Sequence, residues 1–325
     1  MTTTDTKFDE LCEECEQWFG FKVLDAKPIV RGWLNRKWKL TTTHGVFLLK
    51  CYDPDRYRMY DEAALVKALR WQSELHKKGL PCPRILSHDE AELQMTPSGQ
   101  RYMVMSFCAG QRMLPGKATV GGMYSLGVAT GQMHDLLLTL GGVPTKPTFS
   151  IPAVSERVEH WTGILGRMEA DGKQELSPFA ERQLSATQDI DIDDFESVEI
   201  GWAHRDLWAD NILVADDRLS AILDFDRLKN DYVELDMARA IMSGALDGDE
   251  LNITAIQAFL DGYRTQRDFP KGRILRSLRM LWYMESSWWI TPNMDKHTVP
   301  PQRFAHEMDW LARHIGALPS ILGAC

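Results

Sequence analysis

At 325 residues, with 44% hydrophobic and 26% charged side chains, the chain has the make-up of an ordinary globular protein, long enough for two domains or one large bilobed one. A formal net charge of −9 argues against nucleic acid as a partner, because binding its backbone needs a basic footprint. The opening MTTTDTKFDE lacks a basic n-region and an apolar core, and no stretch approaches the roughly 18 apolar residues of a membrane span, so a cytoplasmic protein with no membrane partner is expected.

Phe8, Leu11, Cys15, Trp18 and Phe19 recur at helical spacing and predict a helix over 7–19, closed by Gly20. Cys12 and Cys15 form a C-x-x-C pair, but no second pair completes a zinc site, so both are placed on this helix. Three β-rich runs follow between residues 26 and 50. The turn from Gly32 to Asn35 joins the first two, where backbone N–H groups could approach a triphosphate, and Lys50 closes the third within reach of the phosphates. In the helix predicted over 58–78, Glu62, Leu65 and Leu69 share a face, and a glutamate on that stripe calls for Lys50 as its cation.

Gly79-Leu80-Pro81 stops this helix, a strand begins near Pro83, and residues 92–107 read as a hairpin around Thr96-Pro97-Ser98-Gly99. Five antiparallel strands with a helix then make an N-terminal nucleotide-binding lobe, residues 1–107. A larger, mainly helical C-terminal lobe, 108–325, would carry catalysis and substrate binding. Its helices are predicted over 121–139, 155–169, 177–187, from Glu234 onward, 251–265, 271–290 and 302–316. His134 reads as a hydrogen-bonded core histidine. The acidic run at 189–199 is either a solvated face or an attractor of a cationic substrate. The aromatics of LRMLWYMESSWW are either core or a wall that holds an ammonium group by cation–π contact.

The chemistry concentrates in HRDLWADNILVADDRLSAILDFDRL, residues 204–228. Asp206 precedes Asn211, the apolar run Ile212-Leu213-Val214 leads into a turn, and a second apolar run ends at Asp224, which together predict a hairpin with polar groups at its mouth. Transfer of a γ-phosphoryl group needs a carboxylate to accept the proton of the incoming hydroxyl and oxygen ligands that hold Mg²⁺ on the phosphates. Asp206, Asn211 and Asp224 supply that set, at the spacing of a kinase catalytic loop and its metal-binding aspartate. Here the latter motif reads Asp224-Phe225-Asp226.

With these pieces in place, the chain resembles the aminoglycoside phosphotransferase and choline kinase superfamily, from about Ile29 to about Trp289. HRDLWADNILV, ILDFD and ELDMA carry the resemblance most specifically, and AFLDGYRTQR with LRSLRMLWYMESSWW points towards the homoserine kinase type II branch. The resemblance implies an α+β, protein-kinase-like fold and an ATP- and Mg²⁺-dependent kinase acting on a small-molecule hydroxyl: an amino alcohol, a hydroxy amino acid such as homoserine, or an amino sugar. It implies Asp206 as base and Asn211 and Asp224 as Mg²⁺ ligands. Gly32, Asn35 and Lys50 would attend the phosphates, with Glu62 as the partner of Lys50. The stretch Met105, Phe107 and Cys108 would face adenine, and Asp236 would brace the catalytic loop. Arg205, Trp208, Asp210 and Arg227 are candidates for the acceptor site, although many relatives carry Gly, Ala or Asn where this chain has Arg205.

Two other readings stay open. A protein Ser/Thr kinase would need a docking segment, yet only eleven residues separate Asp224 from Asp236 and no A-P-E triplet occurs. A catalytically silent relative would have no need of Lys50, Asp206, Asn211 and Asp224 together.

Overall fold

The computed structural model describes residues 6–30, 35–144, 146–323 and 325. They fall into two compact units: Met1–Gln111 with Ser220–Lys229, and Arg112–Leu219 with Asn230–Cys325. A single cut near residue 108 does not capture the segment Ser220–Lys229, which groups with the first unit.

The first unit is built on strands β1 (Val23–Pro28), β2 (Arg36–Thr42), β3 (Gly45–Cys51), β4 (Ile85–Leu86), β5 (Gln94–Met95) and β6 (Arg101–Ser106). They form an antiparallel sheet in the order β1-β2-β3-β6-β4, with β5 also paired to β6. The sheet therefore has six strands where five were expected; β4 and β5 are two residues each, too short to show a period of two.

The sheet alternation sorts side chains between two cores. Leu49, Cys51, Tyr102 and Val104 join Leu11 and Cys15 of helix α1 (Thr6–Phe19) on one face. Met103 and Met105 join Tyr52, Leu65 and Leu69 on the other. There the sheet is covered by helix α3 (Glu62–Lys77), which follows the single turn α2 (Pro54–Tyr57). Asp61 caps α3, accepting from the N–H groups of Ala63 and Ala64. Leu65 and Leu69 are at most 1% exposed, and full burial of such a side chain stabilises by roughly 1.5–3 kcal/mol. Lys50, between Leu49 and Cys51 and opposite Met103, must point to the α3 face.

The second unit is mainly helical: α4 (Val120–Gly141), α5 (Val154–Ala170), α6 (Ser177–Asp189), α7 (Glu234–Ala245), α8 (Ile253–Arg264), α9 (Arg273–Trp289), α10 (Pro301–His314) and α11 (Leu318–Leu322). Every residue of α7 is buried, so it is the central helix of this unit. Two of the four aromatics of α9, Trp282 and Tyr283, are core, with Trp282 Nε1 donating to Gln183 Oε1 at 2.6 Å, whereas Trp289 is half-buried and Trp288 is exposed. Helices α4 and α8 pack backbone to backbone through Gly127 and Gly262. A Cβ at Gly127 would lie 2.0 Å from the carbonyl oxygen of Phe259, and one at Gly262 2.1 Å from that of Tyr124. Among the described residues no helix is long and apolar enough to cross a membrane.

Gly127→Ala should force these helices apart and lower the melting temperature, since overpacking typically costs about 1–3 kcal/mol. An unchanged melt by circular dichroism would show that the contact yields freely.

Candidate active site

The loop that begins at His204 follows the strand Ile200–Ala203 and enters the turn Ala209–Asn211. Its shape is set by Asp236, in the first turn of α7. One carboxylate oxygen accepts the backbone N–H of His204 at 2.6 Å and the other accepts that of Arg205 at 2.7 Å. His134, buried on α4 as expected, contacts the same carboxylate at 3.2 Å through Nε2, while its Nδ1 lies 3.0 Å from the Tyr263 hydroxyl. Burial alone would raise the Asp236 pKa, but the hydrogen bonds from His134 and the Arg205 backbone, with the pull of His134 and His204, hold it below the usual carboxylate range.

Asp206 lies inside this brace. Its N–H donates to His204 Nδ1 at 3.2 Å, and the Asn211 amide nitrogen donates to both its carbonyl and its Oδ2 at 2.9 Å. That fixes the carboxylate through the nitrogen end of the Asn211 amide. Beyond Asn211 the strands Ile212–Ala215 and Arg218–Ile222 turn through Asp216 and Asp217 at φ 48° and 61°. This is the tight hairpin expected, with the positive φ that matches strand twist.

In the first unit, the Lys50 ammonium donates to Asp224 Oδ1 at 2.8 Å and to Asp226 Oδ2 at 2.7 Å. Tyr52, two residues on and on the same sheet face, donates to Asp226 Oδ1 at 3.2 Å. Burial would push the Lys50 pKa down, but the two carboxylates outweigh it and raise it; for Asp226 burial wins and its pKa is raised. Asp224 has φ 63° and keeps a 30% exposed side chain.

This corrects the expected pairing of Lys50 with Glu62. Glu62 is the first residue of α3, exposed, and its carboxylate is held by Arg101 at 3.2 and 3.3 Å. The buried stripe of α3 begins only at Leu65, so Glu62 overhangs the core that its spacing suggested. The residue that takes its place is Asp226, which the sequence reading passed over. Its signal was visible: a third, acidic position in Asp224-Phe225-Asp226.

The other candidates are distributed as follows. Gly32 lies outside the described residues. Asn35 Oδ1 accepts the Asp53 N–H at 3.2 Å. Met105 is buried in β6, the Phe107 N–H donates to Val46 O at 3.1 Å, and burial pushes the Cys108 thiol up. Arg227 is exposed on the turn Phe225–Arg227. Asp210 accepts from Arg303 at 2.7 Å, and that guanidinium lies 5.4 Å from the centre of the Trp208 ring. Arg205 is 5% exposed and 2.9 Å from Asp231. Its φ of 62° suits Gly or Asn; in an arginine such backbone costs of order 1–3 kcal/mol and must be held by its surroundings.

Because the folded pKa of Asp236 is depressed, its ionisation stabilises the fold above the unfolded value of about 4 and that stability is lost as pH falls through the folded value. The stability gap between wild type and Asp236→Asn, measured by urea unfolding, should be full at pH 7 and narrow steadily below about pH 4. A gap that does not change with pH would mean that the charge on Asp236 contributes nothing.

Residues 25–275 match the profile described as the phosphotransferase enzyme family. A homoserine kinase from Bradyrhizobium sp. is 26% identical over 273 residues, covering 83% of this chain and 79% of the relative. Among solved structures, the microcompartment-associated aminopropanol kinase superposes with a TM-score of 0.63 at 14% identity, covering 98% of this chain and 99% of that one. Choline kinase from Cryptosporidium parvum does so with a TM-score of 0.60 at 13% identity, covering 98% and 97%. The mixed sheet-and-helix fold is thus protein-kinase-like, and the chain belongs to the phosphotransferase enzyme family, as a kinase whose acceptor is an alcohol group on a small molecule.

Proposed function

We propose that the protein transfers the γ-phosphoryl group of ATP to the hydroxyl of a small amino compound, a hydroxy amino acid such as homoserine before an amino alcohol or amino sugar, in the cytoplasm. The observation that carries this reading is the Asp206 carboxylate, held by the Asn211 amide at 2.9 Å in a loop whose backbone is pinned by Asp236. A carboxylate fixed in this way can orient a hydroxyl and accept its proton as the oxygen attacks phosphorus. The homoserine kinases among the relatives support the choice of acceptor.

In this reading the Lys50 ammonium turns to the phosphates of ATP, and the backbone from Met105 to Cys108 receives adenine. Among the described residues no cluster of three or more His, Cys, Asp or Glu side chains could hold a metal by itself. Mg²⁺ takes one or two protein oxygens and draws the rest from phosphates and water. Asn211 Oδ1 and the Asp224 carboxylate are hard oxygen donors of that kind, and bound Mg²⁺ would neutralise charge building on the phosphates. Arg205, Trp208, Asp210 and Arg227 remain the proposed surroundings of the acceptor.

The test is an ATP-consumption screen over hydroxy amino acids, amino alcohols and amino sugars, followed by Asp206→Asn with the best acceptor. Turnover should fall by about 10²- to 10⁴-fold, the usual worth of a general base. Unchanged turnover would remove Asp206 from the mechanism, and consumption driven only by protein substrates would overturn the small-molecule reading.

A further inference from the structure

The second unit contains a chain of ion pairs that leaves the catalytic loop on one side of Asp206 and returns on the other. It starts at Asp231, which lies 2.9 Å from Arg205 Nε, and Arg205 in turn sits 3.6 Å from Glu285 of α9. The other oxygen of Glu285 accepts from Arg239 of α7, and the other end of that guanidinium donates to Glu307 of α10. Glu307 Oε1 lies 3.7 Å from Arg303 Nε, one turn earlier on the same helix, and Arg303 donates to Asp210 at 2.7 Å. Four carboxylates alternate with three guanidinium groups. Every link carries the opposite charge to its neighbours, and the side chains from Asp231 to Glu307 are at most 8% exposed.

Charges this deeply buried persist only when paired, so each member fixes the next. The two members on the loop are residues 205 and 210, which flank Asp206. Arg205 is also the residue whose left-handed backbone conformation has to be imposed from outside. Phe304 reinforces the closure: it lies under the Arg239 guanidinium at 4.9 Å and against the Trp208 ring at 4.7 Å.

We propose that this alternating chain is a clasp that positions Asp206, with Glu285, Arg239, Glu307 and Arg303 as positioning residues outside the catalytic loop. The clasp rests on the reading of Asp206 as the base. It implies a loop that is set by internal carboxylates and needs no phosphorylated segment to order it.

The discriminating position is Glu307, which lies outside the loop and is paired with Arg239 and, at 3.7 Å, with Arg303. Full-length Glu285→Gln, Glu307→Gln and the double variant would be compared with Asp309→Asn. Asp309 is also buried on α10 and paired, with Arg182 at 2.7 Å and Arg313 at 3.1 Å, but lies outside the clasp. Hydrogen exchange of the peptide covering 204–211 should rise about tenfold or more in each Gln variant and stay at the wild-type level in Asp309→Asn. With ATP and L-homoserine, kcat per Mg–ATP binding site should fall about tenfold or more while KM for ATP changes less than about twofold. The double variant should lose much less than the product of the single losses. Glu285→Asp, which keeps the charge, should recover most of the loss, and if Glu285→Gln does not fold, Glu307→Gln carries the same test. The proposal is overturned if exchange at 204–211 matches that of Asp309→Asn, if it rises equally throughout the helices, or if only KM for the acceptor changes. A wild-type enzyme inactive on L-homoserine would count against the acceptor reading alone, since the exchange measurement needs no acceptor.

Discussion

The buried ammonium of Lys50 is the constraint that shapes the first unit. It joins β3 to aspartates 174 and 176 residues further along, and so accounts for Ser220–Lys229 grouping with a sheet formed far earlier in the chain. An ammonium out of water is tolerable only with such partners. Two carboxylates around one cation leave an excess negative charge, which burial resists by raising the Asp226 pKa. This arrangement keeps the lysine charged and oriented beside the aspartate proposed to bind Mg²⁺.

The loop around Asp206 in the second unit follows a parallel logic. Asp236 spends both oxygens on consecutive backbone N–H groups, so the peptide that leads into Asp206 has little freedom. His134 and Tyr263 extend that brace to α4 and α8, whose close approach depends on Gly127 and Gly262. Helix packing, buried charge and the orientation of one carboxylate are thereby linked through short, identifiable contacts.

The loop and its hairpin were legible in the sequence because they are local. The spacing of Asp206, Asn211 and Asp224, the apolar runs and the Asp216-Asp217 turn all act within a few residues of one another. The long helices were legible through their period, from α4 to α10. The partner of Lys50 was not, because helical spacing reports the face of a residue but not its height along the axis, and Glu62 sits at the open end. Nor was the setting of Arg205, whose backbone sign and buried partners Asp231 and Glu285 are brought in by tertiary structure. A residue that reads from sequence as a neighbour of the acceptor is, in the fold, also paired with two carboxylates.

What would tie these features to phosphoryl transfer is the use proposed for the buried lysine. Calorimetric titration with Mg–ATP of the wild type, Lys50→Met and Glu62→Gln, each checked for folding by circular dichroism, tests it most directly. If Lys50 serves the phosphates, Lys50→Met should weaken binding by about tenfold or more, the worth of a charge-assisted hydrogen bond, and Glu62→Gln should stay within about twofold of wild type. Equal binding by wild type and Lys50→Met, or a loss confined to Glu62→Gln, would contradict the account.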